Sequence, residues 1–167
     1  PAFKAAVQEG KAWSIMGAYN QFRGQHCCHN DLLLNKILKN DWQFDGAVIS
    51  DWGGVHNTEQ SVYNGLDLEM GTWTNGLTTK GTSPYSAYYL ARPYLEGIKS
   101  GKFSTKELDQ KVIRLLRMIF RTSMAANRPF GKFVSPEHSE AARKIAEQGI
   151  VLLKNDKQTL PIPVGKY

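Results

Sequence analysis

The sequence predicts an α/β fold built on a parallel sheet. Three short apolar segments of strand type, residues 13–19, 46–50 and 66–70, alternate with two segments of helical periodicity. This alternation is typical of βαβ units, whose crossover connections leave the strands parallel. Of the 167 residues, 41% are hydrophobic and 22% are charged, which indicates a packed globular protein rather than a disordered one.

Local signals support each element of this pattern. Asn30 is the predicted N-cap of the first helix. Four apolar residues follow it at helical spacing: Leu33, Leu34, Ile37 and Leu38. A short second helix is predicted over residues 55–64, with Gly65 as its C-terminal stop.

The second half of the chain is mainly helical. Residues 71–83 form a loop rich in Thr and Gly that contains Trp73, and its length indicates a functional loop. One helix is predicted over residues 84–100. Another is predicted to begin at a capping box formed by Ser104 and Glu107.

A break in the helical pattern divides the chain. Residues 1–127 are predicted to belong to one domain and residues 128–134, which include Arg-Pro-Phe-Gly, to form a linker. Residues 135–167 are predicted to begin a second domain, whose first helix is capped by Ser135 with Pro136 at its first position.

The net charge of +6 could indicate a nucleic-acid partner. Most of the excess lies in one stretch, which contains Lys99, Lys102, Lys106, Lys111, Arg114, Arg117 and Arg121. These residues interleave with an apolar stripe and not with aromatic residues on which bases could stack. We therefore expect them to form the solvated face of an amphipathic helix, and we expect no nucleic-acid partner.

No targeting or membrane segment is predicted. No run approaches the ~18 apolar residues that a spanning helix needs, so no membrane partner is expected. Residues 1–13 lack the apolar core of a signal peptide. They have the pattern of the middle of a helix, which suggests that the chain was cut from a longer one.

Cys27 and Cys28 are adjacent and are flanked by His26 and His29. Neighbouring cysteines do not easily satisfy disulfide geometry, so no disulfide is expected between them. The four side chains resemble a ligand cluster, but their spacing does not suit a single zinc ion. We expect a loop with partly buried thiols and no metal.

Asp51 is the candidate catalytic residue, because it follows directly after the apolar strand at 46–50. The carboxyl ends of parallel strands carry the catalytic side chains in such folds. Trp52 follows it, and an aromatic ring beside a carboxylate suits a sugar site. The alternative is that Asp51 caps the following turn.

These residues lie in a set of motifs that resembles glycoside hydrolase family 3, of the β-glucosidase type. The motifs are IMGAYNQFRGQ, LLLNKILKNDWQFDG and VISDWGGVHNTEQSVYNGLDLEMG, in that order. The terminal stretch EAARKIAEQGIVLLKNDKQTLPI resembles the opening of the family's second domain. The resemblance covers essentially the whole chain.

The resemblance implies a fold and a site. The fold would be the last part of a (β/α)8-type (TIM-like) barrel, helix-rich, followed by the first helix of an α/β sandwich domain. Asp51 would be the nucleophile of a retaining mechanism, and Tyr19 and Trp52 would bind the sugar. Glu69 and Asp67 match nothing catalytic in the family, and we expect Asp67 to bond locally.

The resemblance also implies what this chain lacks. The family's acid/base Glu lies downstream of Tyr167, and several sugar-binding residues lie upstream of Pro1, so the chain taken alone is expected to be inactive. No metal or cofactor is expected. The partners would be an oligosaccharide or an aryl or alkyl β-glycoside, the missing segments of the parent chain and, as an option, a second copy. The family suggests a periplasmic or secreted location.

Two alternatives stay open at this point. The chain could be a non-catalytic carbohydrate-binding or structural domain that retains the motif. Alternatively, the substrate could be a β-xyloside instead of a β-glucoside, because enzymes for both sugars share much of this pattern.

Overall fold

The computed structural model describes residues 1–71, 88–128, 131–163 and 165. The chain divides into two compact units, Pro1–Ala126 and Asn127–Tyr167. The elements of the first unit are helix α1 (Ala2–Gln8), strands β1 (Ser14–Gly17), β2 (Gln21–Phe22) and β3 (Gln25–His26), a 3-10 turn (Cys27–His29), a π-helix (Leu32–Asp41), strand β4 (Ala47–Ser50) and helices α2 (Thr58–Tyr63), α3 (Arg92–Lys99) and α4 (Lys106–Arg121). Helix α5 (Pro136–Gly149) lies in the second unit. No described helix has the length and apolar character needed to cross a membrane.

Strands β1 and β4 pair in parallel, as the alternating pattern predicts. Ser14 lies opposite Ala47 and Gly17 opposite Ser50. The third predicted strand, residues 66–70, is present only as a single parallel bridge between Ile49 and Leu68. The α/β class is therefore confirmed, and the parallel pair sets the edge at which side chains converge.

Apolar residues from several elements bury the sheet on one side. Val48 of β4, Val55 and Leu66 are fully buried, and Leu34 and Leu38 of the π-helix pack with them. The predicted cap at the start of this helix is confirmed, because the Asn30 side chain accepts a hydrogen bond from the Leu33 amide at 3.0 Å.

Two helix starts differ from the predicted ones. Helix α2 begins at Thr58 rather than at 55, because the Asn57 side chain caps it by accepting from the Gln60 amide at 2.9 Å. Helix α3 begins at Arg92: residues 88–91 form a turn, and residues 84–87 lie outside the described part of the chain. Trp73 and all but the first residue of its loop also lie outside it.

The capping signals of the last two helices have different outcomes. The Ser104 hydroxyl donates to the Glu107 carboxylate at 2.6 Å and accepts from the Lys106 amide at 3.3 Å, so the pair forms a side-chain bond instead of the reciprocal box. The Ser135 cap is confirmed, since its hydroxyl accepts from the His138 amide at 3.3 Å.

The expectation that the basic residues of α4 form a solvated face is wrong for Lys111. Its side chain is buried, and its ammonium donates at 3.0 Å to the carbonyls of Ser61 and Val62, and also to that of Leu66. The last carbonyls of a helix have no partner within the helix, and here the lysine of a neighbouring helix supplies one. The apolar stripe of α4 is in turn only partly buried, since Val112 is 42% exposed.

Candidate active site

Tyr19 and Asp51 lie at the same edge of the parallel pair. Gly17 and Ser50 are opposite each other in the register, and the Asp51 amide donates to the Gly17 carbonyl at 3.2 Å. Asp51 thus follows β4 directly, and Tyr19 follows β1 by two residues. Both residues therefore lie at the carboxyl ends of neighbouring parallel strands.

The Asp51 carboxylate is held by its immediate neighbours. One of its oxygens accepts from the Trp52 backbone amide at 2.7 Å. A hydrogen bond to this carboxylate raises the pKa of the Tyr19 hydroxyl, which therefore stays protonated and acts as the donor. The side chains of Tyr19 and Trp52 are 54% and 56% exposed, so both remain free to contact a ligand.

Tyr19 and Asp51 line one end of an open cavity of about 420 Å³. Phe3, Ile15 and Met16 form part of its apolar wall. A second cavity of about 510 Å³ lies at the opposite, amino ends of the strands and contains none of the three predicted site residues. Chemistry at Asp51 therefore belongs to the first cavity.

The turn after Asp51 is tight and leaves no room for a side chain at Gly54. The Gly54 amide donates to the Asp51 carbonyl at 3.0 Å, and Gly53 has a φ of +70°. A Cβ at Gly54 would lie 2.7 Å from the sulfur of Cys28, which is fully buried. The turn after Asp51 is consequently in direct contact with the 3-10 turn that contains Cys28.

A third segment supports this turn from the side. The Ser50 hydroxyl accepts from the Met70 amide at 2.8 Å, and the Gly53 amide donates to the Met70 carbonyl at 3.1 Å. The segment that ends at Met70 therefore holds both the end of β4 and the turn that follows it.

Glu69 has a structural role, as expected of a residue that matches no catalytic position. Its carboxylate accepts from the backbone amides of Tyr89 at 3.2 Å and Leu90 at 2.6 Å. Burial raises the pKa of Glu69 despite these two bonds. It does not line the cavity of Asp51.

The expectation that Asp67 bonds locally is wrong. Its carboxylate binds the Lys39 ammonium at 2.9 Å, accepts from the Val48 amide at 2.8 Å and lies 3.6 Å from the Arg114 guanidinium. These partners are far away in the sequence, which is why local spacing does not reveal them. The buried Asp67 carboxylate therefore forms ion pairs with two cationic side chains, Lys39 and Arg114.

Cys27 and Cys28 are both free thiols, and burial raises the pKa of each. The neighbouring histidines form a ring cluster with a third member that the sequence did not single out, His56. The centroids of the His26 and His56 rings are 3.9 Å apart. Within the described residues, no group of three or more His, Cys, Asp or Glu side chains is arranged to hold a metal ion.

The sequence contained one signal for the tight packing below Asp51. The doublet Gly53-Gly54 directly follows the Asp-Trp pair. Adjacent glycines at the end of a strand indicate a close approach of backbone to another segment. The partner, Cys28, is not identifiable from that signal.

The chain is similar to known proteins along its whole length. Residues 1–118 match the glycosyl hydrolase family 3 N terminal domain. The chain is 53% identical to Beta-glucosidase BoGH3A of Bacteroides ovatus, over 100% of this chain and 23% of the relative. It is 36% identical to Thermostable beta-glucosidase B of Acetivibrio thermocellus, over 96% of this chain and 20% of the relative.

Solved structures agree with this likeness. The β-glucosidase DesR from Streptomyces venezuelae, in complex with D-glucose, superposes with a TM-score of 0.71 and 30% sequence identity, over 98% of this chain and 21% of that one. The chain thus spans about a fifth to a quarter of the length of the proteins it matches. The matched domain covers residues 1–118, and the strands, motifs and site residues follow one another in the expected order. The chain therefore belongs to glycosyl hydrolase family 3.

Proposed function

We propose that the full-length protein containing this chain is a retaining β-glycosidase, with Asp51 as its nucleophile. The observation that carries the proposal is the position of the Asp51 carboxylate. It lies at the carboxyl edge of the parallel pair and borders an open cavity beside two exposed aromatic side chains, Tyr19 and Trp52. The names of the relatives, β-glucosidases, point to the same chemistry.

In this mechanism the Asp51 carboxylate attacks the anomeric carbon while the bond to the leaving oxygen breaks. The leaving oxygen takes a proton from an acid, and a covalent glycosyl–Asp51 ester forms. Water, deprotonated by the same acid/base group, then hydrolyses the ester with net retention. Both steps use side chains alone, so the proposal includes no metal or cofactor.

The second carboxyl group must lie about 5–5.5 Å from the first. Of the described carboxylates considered for this role, Glu69 is bonded to two backbone amides and Asp67 is bonded to Lys39. The resemblance to the family, rather than these two contacts, implies that the acid/base is a Glu downstream of Tyr167, and we adopt that assignment in the proposal. It follows that the 167-residue chain alone is inactive.

Tyr19 and Trp52 are the proposed sugar-binding residues. The indole of Trp52 offers an apolar face to the C–H side of a pyranose, and the Tyr19 hydroxyl holds the nucleophile. The substrate we favour is a terminal β-linked glucose on an oligosaccharide or an aryl or alkyl aglycone. A β-xyloside is the second candidate.

We also propose how the chain fits into the larger protein. Residues 1–127 would form the C-terminal part of the (β/α)8-type barrel domain, residues 128–134 a linker, and residues 135–167 the start of the α/β sandwich domain. The parallel pair and the helices of the first unit support the first assignment. The capped helix α5 supports the last.

Replacement of the nucleophile tests the proposal. In the full-length protein, Asp51→Ala should lower kcat on an aryl β-glucoside by roughly 10⁴-fold or more, the scale seen when a catalytic group is removed. Added azide should restore part of the cleavage and give a glycosyl azide of inverted configuration. A 2-fluoro glucoside should label the wild-type protein on Asp51.

Asp109→Ala, which removes an exposed carboxylate on α4, is the matched control and should behave as wild type. Near-normal turnover by the Asp51→Ala protein contradicts the proposal. Glucose binding by a wild-type protein that neither hydrolyses nor becomes labelled would instead support a non-catalytic carbohydrate-binding domain.

A further inference from the structure

Three histidine rings join the two loops that carry the candidate site. The first loop is the segment between β1 and the π-helix, which contains Tyr19 and, in its short strand β3, His26; the second follows β4 and contains Asp51 and His56. The His26 ring stacks on the His56 ring, with centroids 3.9 Å apart and planes 25° apart. His29 lies at the edge of this stack, with its centroid 5.7 Å from that of His26 and 6.5 Å from that of His56.

Hydrogen bonds determine which nitrogens carry protons. His26 Nδ1 lies 3.1 Å from the Tyr19 carbonyl, which can only accept, so Nδ1 is the donor. The side-chain nitrogen of Gln21 lies 3.1 Å from His26 Nε2 and donates to it. The His26 ring is thus held in its plane by two bonds and tied directly to the backbone of Tyr19.

The second loop is bonded to the same cluster. The His56 backbone amide donates to Nε2 of the buried His29 at 3.2 Å. His56 is therefore fixed both through its backbone and through its ring. The cluster forms a continuous connection from the Tyr19 carbonyl, across the stacked rings, to the loop that begins at Asp51.

We propose that His26 and His56 are positioning residues that hold Tyr19 and Asp51 at their working separation. This inference rests on the function proposed above. Tyr19 and Asp51 lie on different loops, and the hydrogen bond from the Tyr19 hydroxyl to the Asp51 carboxylate forms only where the two backbones bring these side chains together. The loop backbones must then set the geometry, and a misplacement of about 1 Å at such a site can lower the rate about 100-fold.

Variants that remove one contact at a time test the inference in the full-length protein. His26→Phe keeps a stacking ring but loses the bond to the Tyr19 carbonyl. His56→Ala loses the stack, and His56→Phe keeps it. We expect His26→Phe and His56→Ala each to lower kcat about tenfold or more with KM changed less than about threefold, and His56→Phe to restore most of the kcat lost in His56→Ala.

The rates are expressed per active site titrated with a 2-fluoro glycoside, so that partial unfolding does not count as lost activity. His56→Leu, which keeps apolar volume without a flat ring, is the second variant if His56→Ala does not fold, and it should lose as much kcat. Hydrogen exchange of the backbone amides of residues 51–57 should speed up several-fold in every variant that lowers kcat. His138→Ala, which removes an exposed histidine on α5, is the matched control and should change neither quantity.

The inference is overturned if His26→Phe and His56→Ala both keep the wild-type kcat and KM per titrated site. His56→Leu takes the place of His56→Ala if the latter does not fold. The inference is also overturned if kcat falls in His56→Ala and His56→Phe does not restore it. Failure of the proposed function has a different signature. It appears as an inactive wild-type protein or an active Asp51→Ala protein, whatever the histidine variants do.

Discussion

At position 54, three residues after the candidate nucleophile, the backbone lies so close to the Cys28 sulfur that a side chain does not fit. Gly54→Ala would place a Cβ 2.7 Å from the Cys28 sulfur and 3.7 Å from the Tyr19 ring. The sulfur belongs to a fully buried residue, so the turn after Asp51 must shift instead. We expect kcat of the full-length protein on an aryl β-glucoside to fall about tenfold or more.

Cys28→Ala provides the rescue for that change, because it removes the sulfur that the new Cβ would meet. The double variant should recover most of the activity lost in Gly54→Ala. Gly149→Ala is the control, since a Cβ at the last residue of α5 meets no other atom within 4 Å. A fully active Gly54→Ala protein would mean that the turn does not set the position of Asp51.

At the scale of elements, the junction of the two site-bearing loops should be sensitive to acid. Burial lowers the pKa of His29 below its ordinary value of 6.5, and burial followed by the charge of His26 lowers that of His56. As the pH falls below 6.5, the unfolded chain therefore takes up protons before the folded one does. Stability is complete above this pH and declines as the pH falls towards the lower folded pKa values.

Thermal unfolding of the full-length protein between pH 7.5 and pH 5 measures this effect. A hydrogen bond from the Gln60 side chain on α2 opposes the lowering of the His29 pKa, whereas the charges of His26 and His56 add to it. His29→Gln keeps an acceptor for the His56 amide but does not titrate, so it should flatten the decline. An equal decline in this variant would place the acid sensitivity elsewhere.

Helix α4 contributes to the fold through a charge as well as through its apolar residues. Lys111→Met would leave the carbonyls of Ser61, Val62 and Leu66 without their common donor. Buried acceptors that lose a partner cost about 1–3 kcal/mol, so we expect the free energy of unfolding to fall by about 2 kcal/mol.

Urea unfolding of the full-length protein, followed by the fluorescence of its tryptophans, measures the change at Lys111. Lys106→Met on the same helix is the control, because that lysine is exposed, and its effect should stay within about 0.5 kcal/mol. Equal stability of the two variants would show that the buried ammonium does not stabilise the contact between α4 and α2.

At the scale of the whole molecule, the chain produced alone should be inactive and prone to associate. Within the described residues the parallel sheet has two strands: β1 pairs with β4 on one side and has no strand on its other side, whereas β4 is also hydrogen-bonded to Asp67 and Leu68. Phe3 and Met16 beside the candidate site are 65% and 58% exposed. Unpaired strand edges next to exposed apolar side chains favour aggregation or strand exchange.

Size-exclusion chromatography and an aryl β-glucoside assay of the 167-residue chain test both parts, with the full-length protein as the positive control. Loss of the acid alone removes roughly 10²–10⁴-fold in rate, and loss of positioning groups removes more. A monomeric, cooperatively melting and active chain would show that the second carboxylate lies within these residues.

The sequence by itself determined the features that depend on neighbouring residues. Asn30 and Ser135 cap the helices they were predicted to cap, and Gly65 ends α2 with a φ of +93°. These outcomes are local, because a cap or a stop involves residues three or four positions apart. The edge shared by Tyr19 and Asp51 followed from parallel pairing, which the strand–helix alternation already implies.

Only the tertiary structure decided the interactions that join distant segments. Lys111 is bonded to a carbonyl 50 residues away, and Asp67 is paired with a lysine 28 residues away. His56 stacks on a ring of the other loop. Periodicity places charged residues on the solvent side by default, since burial of a charge is unfavourable without a partner. Whether a partner exists depends on how the segments pack, and no spacing within one segment contains that information.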